Sequence, residues 1–333
     1  MTTPFDCSDL PTPKSLREWG EVFTDVDIWT PAVREICRRA RISVRSIEAG
    51  YPGSNAVFVV NKHTPTAAVV KIYAPLWSED YTLERVLHPI LSRWPEIGAP
   101  QLLAEGTLGA DGAWPFIVLS FVPGEPIREI REDISRRDLL AASRELGHRL
   151  RVLHDIPIAD LGALDTRPEG WQRTAERYLT QAVEKLRGRK VLPKTVLERI
   201  PGFVNTVIQE SAALAMVLTS GDVTEDHVML EERDGHWVLS GLIDFADALV
   251  APRDYEWVAL WFSALDRDDG CLRACLEGYG GDVTANAAFY RKALAFTFVH
   301  EFGAEIIAET LDRLDTPEID SIPALQAALW EPE

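Results

Sequence analysis

Short apolar runs with the character of β-strands occupy the first third of the chain. Ala56–Val60 and Ala67–Tyr73 are rich in β-branched and small apolar residues. A helical pattern follows over Leu83–Leu91, and Gln101–Gly106 and Trp114–Val122 are two further strand candidates. The pattern therefore predicts the order strand, strand, helix, strand, strand.

Residues 14–40, before these strands, have a helical pattern. Thr30 followed by Pro31 fits an N-cap with proline at the first helical position. Val33 and Ile36 then begin an apolar face. We expect a helix that starts at this Thr-Pro pair.

Long helical patterns dominate after Pro123–Gly124. Ser135 with Asp138 three residues later resembles a capping box and predicts a helix that stops before Pro157. The remaining helical patterns cover 171–187, 196–217 and the chain from about Tyr255 onward.

One β-rich segment, residues 227–244, interrupts the helices. Asp234-Gly235 lies between two apolar runs there and predicts a hairpin turn. We therefore predict an α+β fold of two parts. An N-terminal helix and a nucleotide-binding β-rich lobe span residues 1–122, and a mostly helical catalytic and substrate-binding lobe spans residues 123–333.

Composition places the chain among soluble globular proteins. Apolar residues make up 46% and charged residues 26% of the 333 residues, and no apolar run approaches the ~20 residues that cross a bilayer. The N-terminus lacks a basic start followed by an apolar stretch, so no signal peptide is expected. The four cysteines show neither disulfide nor zinc spacing. We expect a cytoplasmic protein with reduced thiols and no membrane contact.

The formal net charge of −18 is concentrated in the second part of the chain. Residues 1–122 carry 11 basic and 14 acidic residues, or −3, and residues 123–333 carry 23 and 38, or −15. Such a surface repels nucleic acid and attracts a cationic ligand, although solubility alone would also explain it. We expect no nucleic-acid partner, a small cationic substrate, and a monomer or weak dimer.

The segment 218–248 contains the residues most suited to chemistry. Asp222 is predicted in a loop after a helix, His227 opens the first strand of the hairpin, and Asp244 ends the second. The hairpin is expected to bring the two carboxylates to one end of a sheet. Phosphoryl transfer needs one carboxylate to orient the attacking hydroxyl and accept its proton, and another to hold Mg²⁺ against the phosphates.

This segment resembles the catalytic core of the aminoglycoside phosphotransferase family, relatives of the choline and fructosamine kinases. The family pattern H-G-D-x-x-x-x-N, a hairpin and then I-D-F reads here as Ser220-Gly221-Asp222, His227 and Ile243-Asp244-Phe245. The resemblance covers nearly the whole chain. It implies a protein-kinase-like two-lobed fold and transfer of the γ-phosphoryl group of ATP or GTP to a hydroxyl.

The resemblance also implies nucleotide contacts. Lys71 in Val-Val-Lys-Ile matches the strand lysine that contacts the phosphates, and Glu84 matches its ion-pair partner. A lysine in an apolar strand also needs a partner on physical grounds. Ser120 and Val122 match the hinge whose backbone bonds adenine.

A loose glycine loop lies between the first two strands. Backbone N–H groups at Gly53, Ser54 and Asn55 are candidates to cover the β- and γ-phosphates, although the loop lacks the G-x-G-x-x-G pattern and would otherwise be a plain turn.

Two residues depart from the family pattern. Ser220 replaces a histidine that is mainly architectural, and His227 replaces the asparagine expected to bind the metal beside Asp244. Neutral imidazole binds Mg²⁺ poorly. The replacement at His227 leaves three outcomes open: Asp244 holds the metal with the help of water, the protein prefers Mn²⁺ to Mg²⁺, or catalysis is weak. A kinase-like protein that binds ligands without catalysis is therefore an alternative.

Similarity to hygromycin B 7″-O-kinases is suggested by three stretches, Asp27–Pro31, Ala113–Pro115 and Ala293–His300. An aminoglycoside such as hygromycin B is therefore the leading substrate, and a metabolite or natural product with a hydroxyl group is the alternative. Acidic side chains that would bind substrate amines, or form solvated faces, are Asp226, Asp247, Asp266, Glu301 and Glu305.

Overall fold

The structure is a computed structural model. It describes residues 10–11, 13, 15–51, 54–74, 78–109, 114–162, 164–210, 216–281, 283–314 and 318–331. The chain divides into two compact units. The first comprises residues 1–123 together with 240–246, and the second comprises residues 124–239 and 247–333.

The first unit contains an antiparallel sheet. Its elements in chain order are α1 (Leu16–Gly20), α2 (Val26–Arg39), β1 (Ile47–Ala49), β2 (Ala56–Val60), β3 (Ala68–Ile72), α3 (Ser78–Leu91), β4 (Leu102–Leu108) and β5 (Trp114–Ser120). The five strands have the order β1-β2-β3-β5-β4, and neighbours are antiparallel. The predicted order strand, strand, helix, strand, strand is confirmed, and β1 was not foreseen.

The two faces of this sheet have different partners. Trp29 on α2 contacts Phe58 and Trp114, so the N-terminal helices cover one face with an aromatic core. Side chains alternate along a strand. Val70 and Ile72 belong to that core, and the intervening Lys71 points to the opposite face.

The predicted start of α2 was wrong. The N-cap is Asp25, whose carboxylate accepts hydrogen bonds from the N–H groups of Asp27 and Ile28. Thr30 and Pro31 lie inside the helix. A carboxylate at the N-cap accepts hydrogen bonds from the free N–H groups of the first turn and interacts favourably with the positive end of the helix dipole. The helix therefore begins after Asp25, upstream of Pro31.

Helices predominate after residue 123. In chain order the elements are β6 (Glu125–Pro126), α4 (Ile127–Ile130), α5 (Arg136–His154), α6 (Pro168–Arg189), α7 (Lys194–Leu197), α8 (Ile200–Glu210), β7 (Met216–Thr219), β8 (Val228–Arg233), β9 (His236–Leu242), β10 (Leu249–Pro252), α9 (Trp257–Ala259), α10 (Asp269–Tyr279), α11 (Ala287–Phe298), α12 (Gly303–Arg313) and α13 (Ile322–Trp330). The cap at Ser135 is confirmed, because its side chain accepts the N–H of Asp138, and α5 stops before Pro157 as predicted.

The hairpin between β8 and β9 is confirmed. Asp234 and Gly235 both have positive φ, 53° and 77°, as a tight hairpin turn requires. The predicted helix over 196–217 is partly wrong, because Met216 and Val217 belong to β7, which pairs with β10. Asp222 therefore follows a strand and not a helix.

The α+β class predicted from the sequence is confirmed by the N-terminal antiparallel sheet and the helical remainder. Within the described residues, no helix has both the length and the apolar character that a membrane span requires.

Candidate active site

Lys71 and Glu84 form a buried ion pair in the first unit. Lys71 Nζ lies 2.7 Å from Glu84 Oε2, and the two side chains are 6% and 1% exposed. The alternation of β3 turns Lys71 toward α3, which carries Glu84. The same ammonium lies 3.1 Å from Oδ1 of Asp244. One cation is thus held between two carboxylates.

Electrostatics keep Lys71 and Glu84 charged. Burial alone would lower the pKa of Lys71, but the carboxylates of Asp244 and Glu84 outweigh burial and hold that pKa above its ordinary value. Burial alone would raise the pKa of Glu84, but Lys71 holds it below its ordinary value. The result is a fixed ammonium of the kind that binds phosphate oxygens.

Two further side chains lie against Glu84, and one of them, Tyr73, is hydrogen-bonded to it. The hydroxyl of Tyr73 donates a hydrogen bond to Oε2 of Glu84. His88 lies one turn later on α3, 3.7 Å from the other carboxylate oxygen, and donates through Nδ1 to the carbonyl of Pro100 at 3.0 Å. The glutamate has little rotational freedom, so it holds Lys71 in one place.

Asp244 has a left-handed backbone conformation, with φ 57°. Its Oδ1 accepts the N–H of Ala246 at 3.2 Å, which forms a local turn. Residues held in such sparsely populated conformations cluster at functional sites. The ring of Phe245 packs edge-on against His88, which anchors this segment in the first unit.

Two contacts anchor the end of the glycine loop at Ser54 and Asn55. Gly53 lies outside the described residues. The carbonyl of Ser54 accepts the indole N–H of Trp19 at 2.8 Å, and Asn55 Nδ2 donates to Asp80 at 3.1 Å. The loop is thus tied to α1 and to the first turn of α3.

The end of β5 and the residues that follow it have one backbone donor occupied, at Ser120. The N–H of Ser120 donates to the carbonyl of Gln101 at 2.8 Å, and Ser120 Oγ accepts the N–H of Gln101 at 2.9 Å. Adenine recognition by this segment would therefore use backbone groups other than the N–H of Ser120, such as those of Val122.

In the second unit, Asp222 lies in a tightly built loop between β7 and β8. The N–H of Ser220 donates to Glu256 Oε2 at 2.9 Å, and that oxygen also accepts from His154 Nε2 at 3.1 Å. Gly221 has φ +84°, and a Cβ there would clash with the carbonyl of Asp247. The position before Asp222 therefore requires glycine.

His227 holds the far end of the same loop. Its Nδ1 lies 2.6 Å from the carbonyl oxygen of Asp222 and 3.1 Å from the hydroxyl of Thr224. An Nδ1–H that donates to a carbonyl leaves only Nε2 with a lone pair. The expected role of His227 as a metal ligand stays a prediction.

A cavity of about 380 Å³ opens beside Asp222 in the second unit. Its lining includes five carboxylates, one guanidinium and two aromatic rings, from Asp222, Glu225, Asp266, Glu305, Glu309, Arg313, Phe262 and Phe302. Within the part of the chain that the structure describes, Asp266 and Glu309 form no ion pair. The cavity is acidic, with apolar faces, and suits a small cationic ligand.

The predicted substrate residues separate into two groups. Asp266 and Glu305 line the cavity. Asp226 is paired with Arg128 at 2.9 Å, and Glu301 accepts the hydroxyl of Tyr178 at 2.8 Å. Neither of these two, nor Asp247, is part of the lining.

Sequence reasoning missed two lining carboxylates, Glu225 and Glu309. The spacing of Glu309, one turn after Glu305 on α12, would have indicated that the two share a helix face. Glu225 is placed by its N–H, which donates to Ser263 Oγ at 3.0 Å, and no local pattern signals that contact.

Several solved structures have a similar fold. One is the GDP complex of aminoglycoside 2′-phosphotransferase-IIIa, with 18% sequence identity and TM-score 0.63. That match covers 90% of this chain and 95% of that chain. The aminoglycoside phosphotransferase APH(3″)-Id from Streptomyces rimosus has 19% identity and TM-score 0.54, with 82% of this chain and 97% of that chain covered. The gentamicin complex of APH(2″)-IIa has 17% identity and TM-score 0.57, with 90% and 94% covered.

These likenesses confirm the protein-kinase-like fold that was predicted from the sequence. Residues 43–291 match the model of the phosphotransferase enzyme family, APH. That match spans β1 to the first part of α11, and it includes Lys71, Glu84, Asp222 and Asp244. The chain belongs to the phosphotransferase enzyme family.

Proposed function

We propose that this enzyme transfers the γ-phosphoryl group of ATP or GTP to a hydroxyl of an aminoglycoside. The observation that carries the proposal is the acidic cavity beside Asp222. Its lining holds five carboxylates and one guanidinium. Arg131 pairs with Glu225, and Lys185 and Arg189 pair with Glu305, but Asp266 and Glu309 form no ion pair among the described residues. A neutral or anionic acceptor would therefore leave uncompensated negative charge at those two carboxylates. A molecule with several ammonium groups would neutralise it.

Lys71 would bind the nucleotide phosphates. Its ammonium is held by Glu84 and Asp244 at fixed distances, so little reorganisation is needed when the phosphates arrive. The anchored residues Ser54 and Asn55 would present backbone N–H groups to the same phosphates.

A divalent metal is implied by phosphoryl transfer, and Asp244 offers the carboxylate oxygen that Mg²⁺ prefers. No group of three or more His, Cys, Asp or Glu side chains among the described residues is arranged to hold a metal. Remaining ligands would come from the nucleotide, water and His227, whose imidazole suits Mn²⁺ better than Mg²⁺. The metal would neutralise charge on the phosphates.

Asp222 would orient the acceptor hydroxyl and accept its proton. General-base catalysis of this kind contributes typically ~10²–10⁴-fold to the rate. The role fits its position at the edge of the cavity and the rigid loop that carries it.

Glu305 and Glu309 on α12, with Asp266 and Glu225, would bind the acceptor amines. Glu305 pairs through Oε1 with Lys185 at 3.0 Å. Its Oε2 is buried and has no hydrogen-bond partner among the described residues, so this second oxygen is suited to accept from an acceptor ammonium. Phe262 and Phe302 offer apolar faces to sugar rings. Structurally similar proteins have been solved with kanamycin, gentamicin and streptomycin. The resemblance of three sequence stretches favours hygromycin B among aminoglycosides.

An acceptor screen tests the proposal. The purified protein would be incubated with ATP or GTP and Mg²⁺, and with hygromycin B, kanamycin, gentamicin, streptomycin, choline or a simple amino sugar. Mass spectrometry would detect addition of one phosphoryl group. We expect a phosphorylated aminoglycoside. Product formed only from choline or the amino sugar would replace the aminoglycoside assignment with a metabolite kinase.

A second candidate, ligand binding without catalysis, is favoured by one observation. His227 stands where an oxygen ligand is expected, and its Nδ1 is engaged by the carbonyl of Asp222. Binding of ATP without turnover of any acceptor, in either Mg²⁺ or Mn²⁺, would support that candidate over the kinase.

A further inference from the structure

His300 is a buried histidine that neither the nucleotide contacts nor the acceptor contacts use. It follows α11 and lies beyond residues 43–291, the part of the chain that matches the family model. Only 1% of its surface is exposed. A polar ring buried to this extent needs partners for both nitrogens.

Both ring nitrogens have a partner, and together the partners define the tautomer. Nε2 lies 3.0 Å from the carbonyl oxygen of Gly221, so it donates its hydrogen there. Nδ1 accepts the N–H of Phe302 at 3.3 Å. Burial lowers the pKa of His300 to about 4, which keeps the ring neutral at physiological pH.

The ring is also fixed in orientation. It stacks on Tyr255 with centroids 4.7 Å apart and an interplanar angle of 21°. Tyr255 in turn contacts Trp171 edge-on at 5.3 Å. The hydrogen-bonding edge of His300 is thereby aimed at one carbonyl of the loop that carries Asp222.

We infer that His300 is a positioning residue that locks the loop of Asp222 to the wall of the acceptor cavity. Gly221 directly precedes Asp222, and Phe302, bonded to the other side of the ring, lines the cavity. One imidazole thus joins the backbone of the proposed base to the surface that holds the acceptor. The inference rests on the proposed role of Asp222.

The expected consequence concerns the rate more than binding. A displacement of about 1 Å at a reacting group costs roughly 10²-fold in rate. Without the donor, the carbonyl of Gly221 has no partner at this position, and the peptide that leads into Asp222 can rotate. Nucleotide affinity should not change, because the residues proposed to hold the phosphates lie elsewhere in the chain.

Two substitutions separate the hydrogen bond from the packing. His300→Gln keeps an N–H donor at the reach of Nε2 and loses the ring. His300→Phe keeps the ring that stacks on Tyr255 and loses the donor. His236→Gln is the matched control, because His236 bonds Asp138 at 3.2 Å on β9, away from the cavity.

Three kinds of measurement would be made on each variant: thermal melting, steady-state kinetics (kcat and KM) with ATP and hygromycin B, and NMR of the amide chemical shifts of Gly221 and Asp222. We expect His300→Phe to lower kcat by about 10- to 100-fold with KM for ATP unchanged. His300→Gln should keep kcat within about 5-fold of wild type, and His236→Gln should match it. The amides should shift in the Phe variant and stay near wild type in the Gln variant.

The opposite order, with Phe active and Gln inactive, would show that His300 acts by packing and would overturn the inference. Equal amide shifts in the Gln and Phe variants would also overturn it, even if hygromycin B gives no turnover. Full activity of Asp222→Asn, used as a reference, would instead refute the proposed function. The two failures are therefore distinguishable.

Discussion

Replacing Lys71 with methionine should strongly destabilise the first unit. Methionine fills a similar volume and removes the charge. Glu84, which is 1% exposed, then loses the cation 2.7 Å away, and its carboxylate is left buried beside Asp244. An uncompensated buried charge is costly, because the interior solvates it poorly.

The size of the effect follows from the geometry. At an effective dielectric constant of about 20, unit charges 2.7 Å apart attract by about 6 kcal/mol. The desolvation of both groups offsets part of this attraction, and measured losses for breaking one partner of a buried pair are about 3–5 kcal/mol. Asp244 is 36% exposed, so its share is screened by solvent and adds little.

Hydrogen–deuterium exchange of the peptides that cover β3 and α3 is the appropriate assay, because two compact units need not unfold together. Lys71→Met should accelerate their exchange by roughly 10²- to 10⁴-fold. The double variant Lys71→Met/Glu84→Gln should be more stable than Lys71→Met alone, because no buried charge remains unpaired. Lys194→Met is the control, since its exposed pair with Glu198 should contribute less than about 1 kcal/mol.

The reasoning would be refuted if Lys71→Met exchanged like wild type. It would also be refuted if Glu84→Gln destabilised the Lys71→Met variant as much as it destabilises the wild-type protein. Either result would mean that the ion pair does not hold β3 and α3 together.

Three further predictions follow. His300 is neutral in the folded chain and has a pKa lowered from its ordinary value of 6.5 to about 4, so the unfolded chain binds the extra proton. The contribution of neutral His300 to the free energy of unfolding is fully present above pH 6.5 and falls by about 3 kcal/mol as the pH drops to 4. Thermal melts of His300→Gln should show a smaller loss of stability over this pH range. Glu309→Gln should raise KM for an aminoglycoside about 2- to 5-fold at low salt, and less at high salt. Glu301→Gln is the control, because Glu301 accepts a hydrogen bond from Tyr178 and does not line the cavity. His227→Asn should raise the ratio of Mg²⁺-supported to Mn²⁺-supported activity, because it replaces an imidazole nitrogen with an amide oxygen.

Each of these predictions has a contradicting result. An unchanged pH profile in His300→Gln would mean that another group causes the acid instability. If Glu309→Gln and Glu301→Gln raised KM for the aminoglycoside equally, the acceptor would not bind in the cavity that Glu309 lines. A metal preference unaffected by His227→Asn would exclude residue 227 as a ligand.

Local patterns in the sequence were enough where the structure is set by neighbouring residues. The apolar run Ala56–Val60 is strand β2 over the same residues, Ser135 caps α5, and Asp234-Gly235 forms the hairpin turn. Lys71 and Glu84 were found because a lysine in an apolar strand has to be paired, and the family resemblance suggested the partner.

Predictions failed where distant residues decide the outcome. Met216 and Val217 continue a helical pattern, yet they form a strand because β10, about 30 residues later, pairs with them. The contacts of His300 and Glu225 were not predicted for the same reason, since their partners Gly221 and Ser263 lie 79 and 38 residues away. Such contacts depend on packing of the whole second unit, which periodicity does not report.

The rate of phosphoryl transfer by Asp222→Asn, compared with wild type on the same aminoglycoside, tests the central claim most directly. The account predicts that wild type forms a phosphorylated product and that the variant, with an unchanged melting temperature and unchanged ATP binding, forms it about 10²- to 10⁴-fold more slowly. Equal rates for the two proteins would contradict the assignment of Asp222 as the group that activates the acceptor hydroxyl.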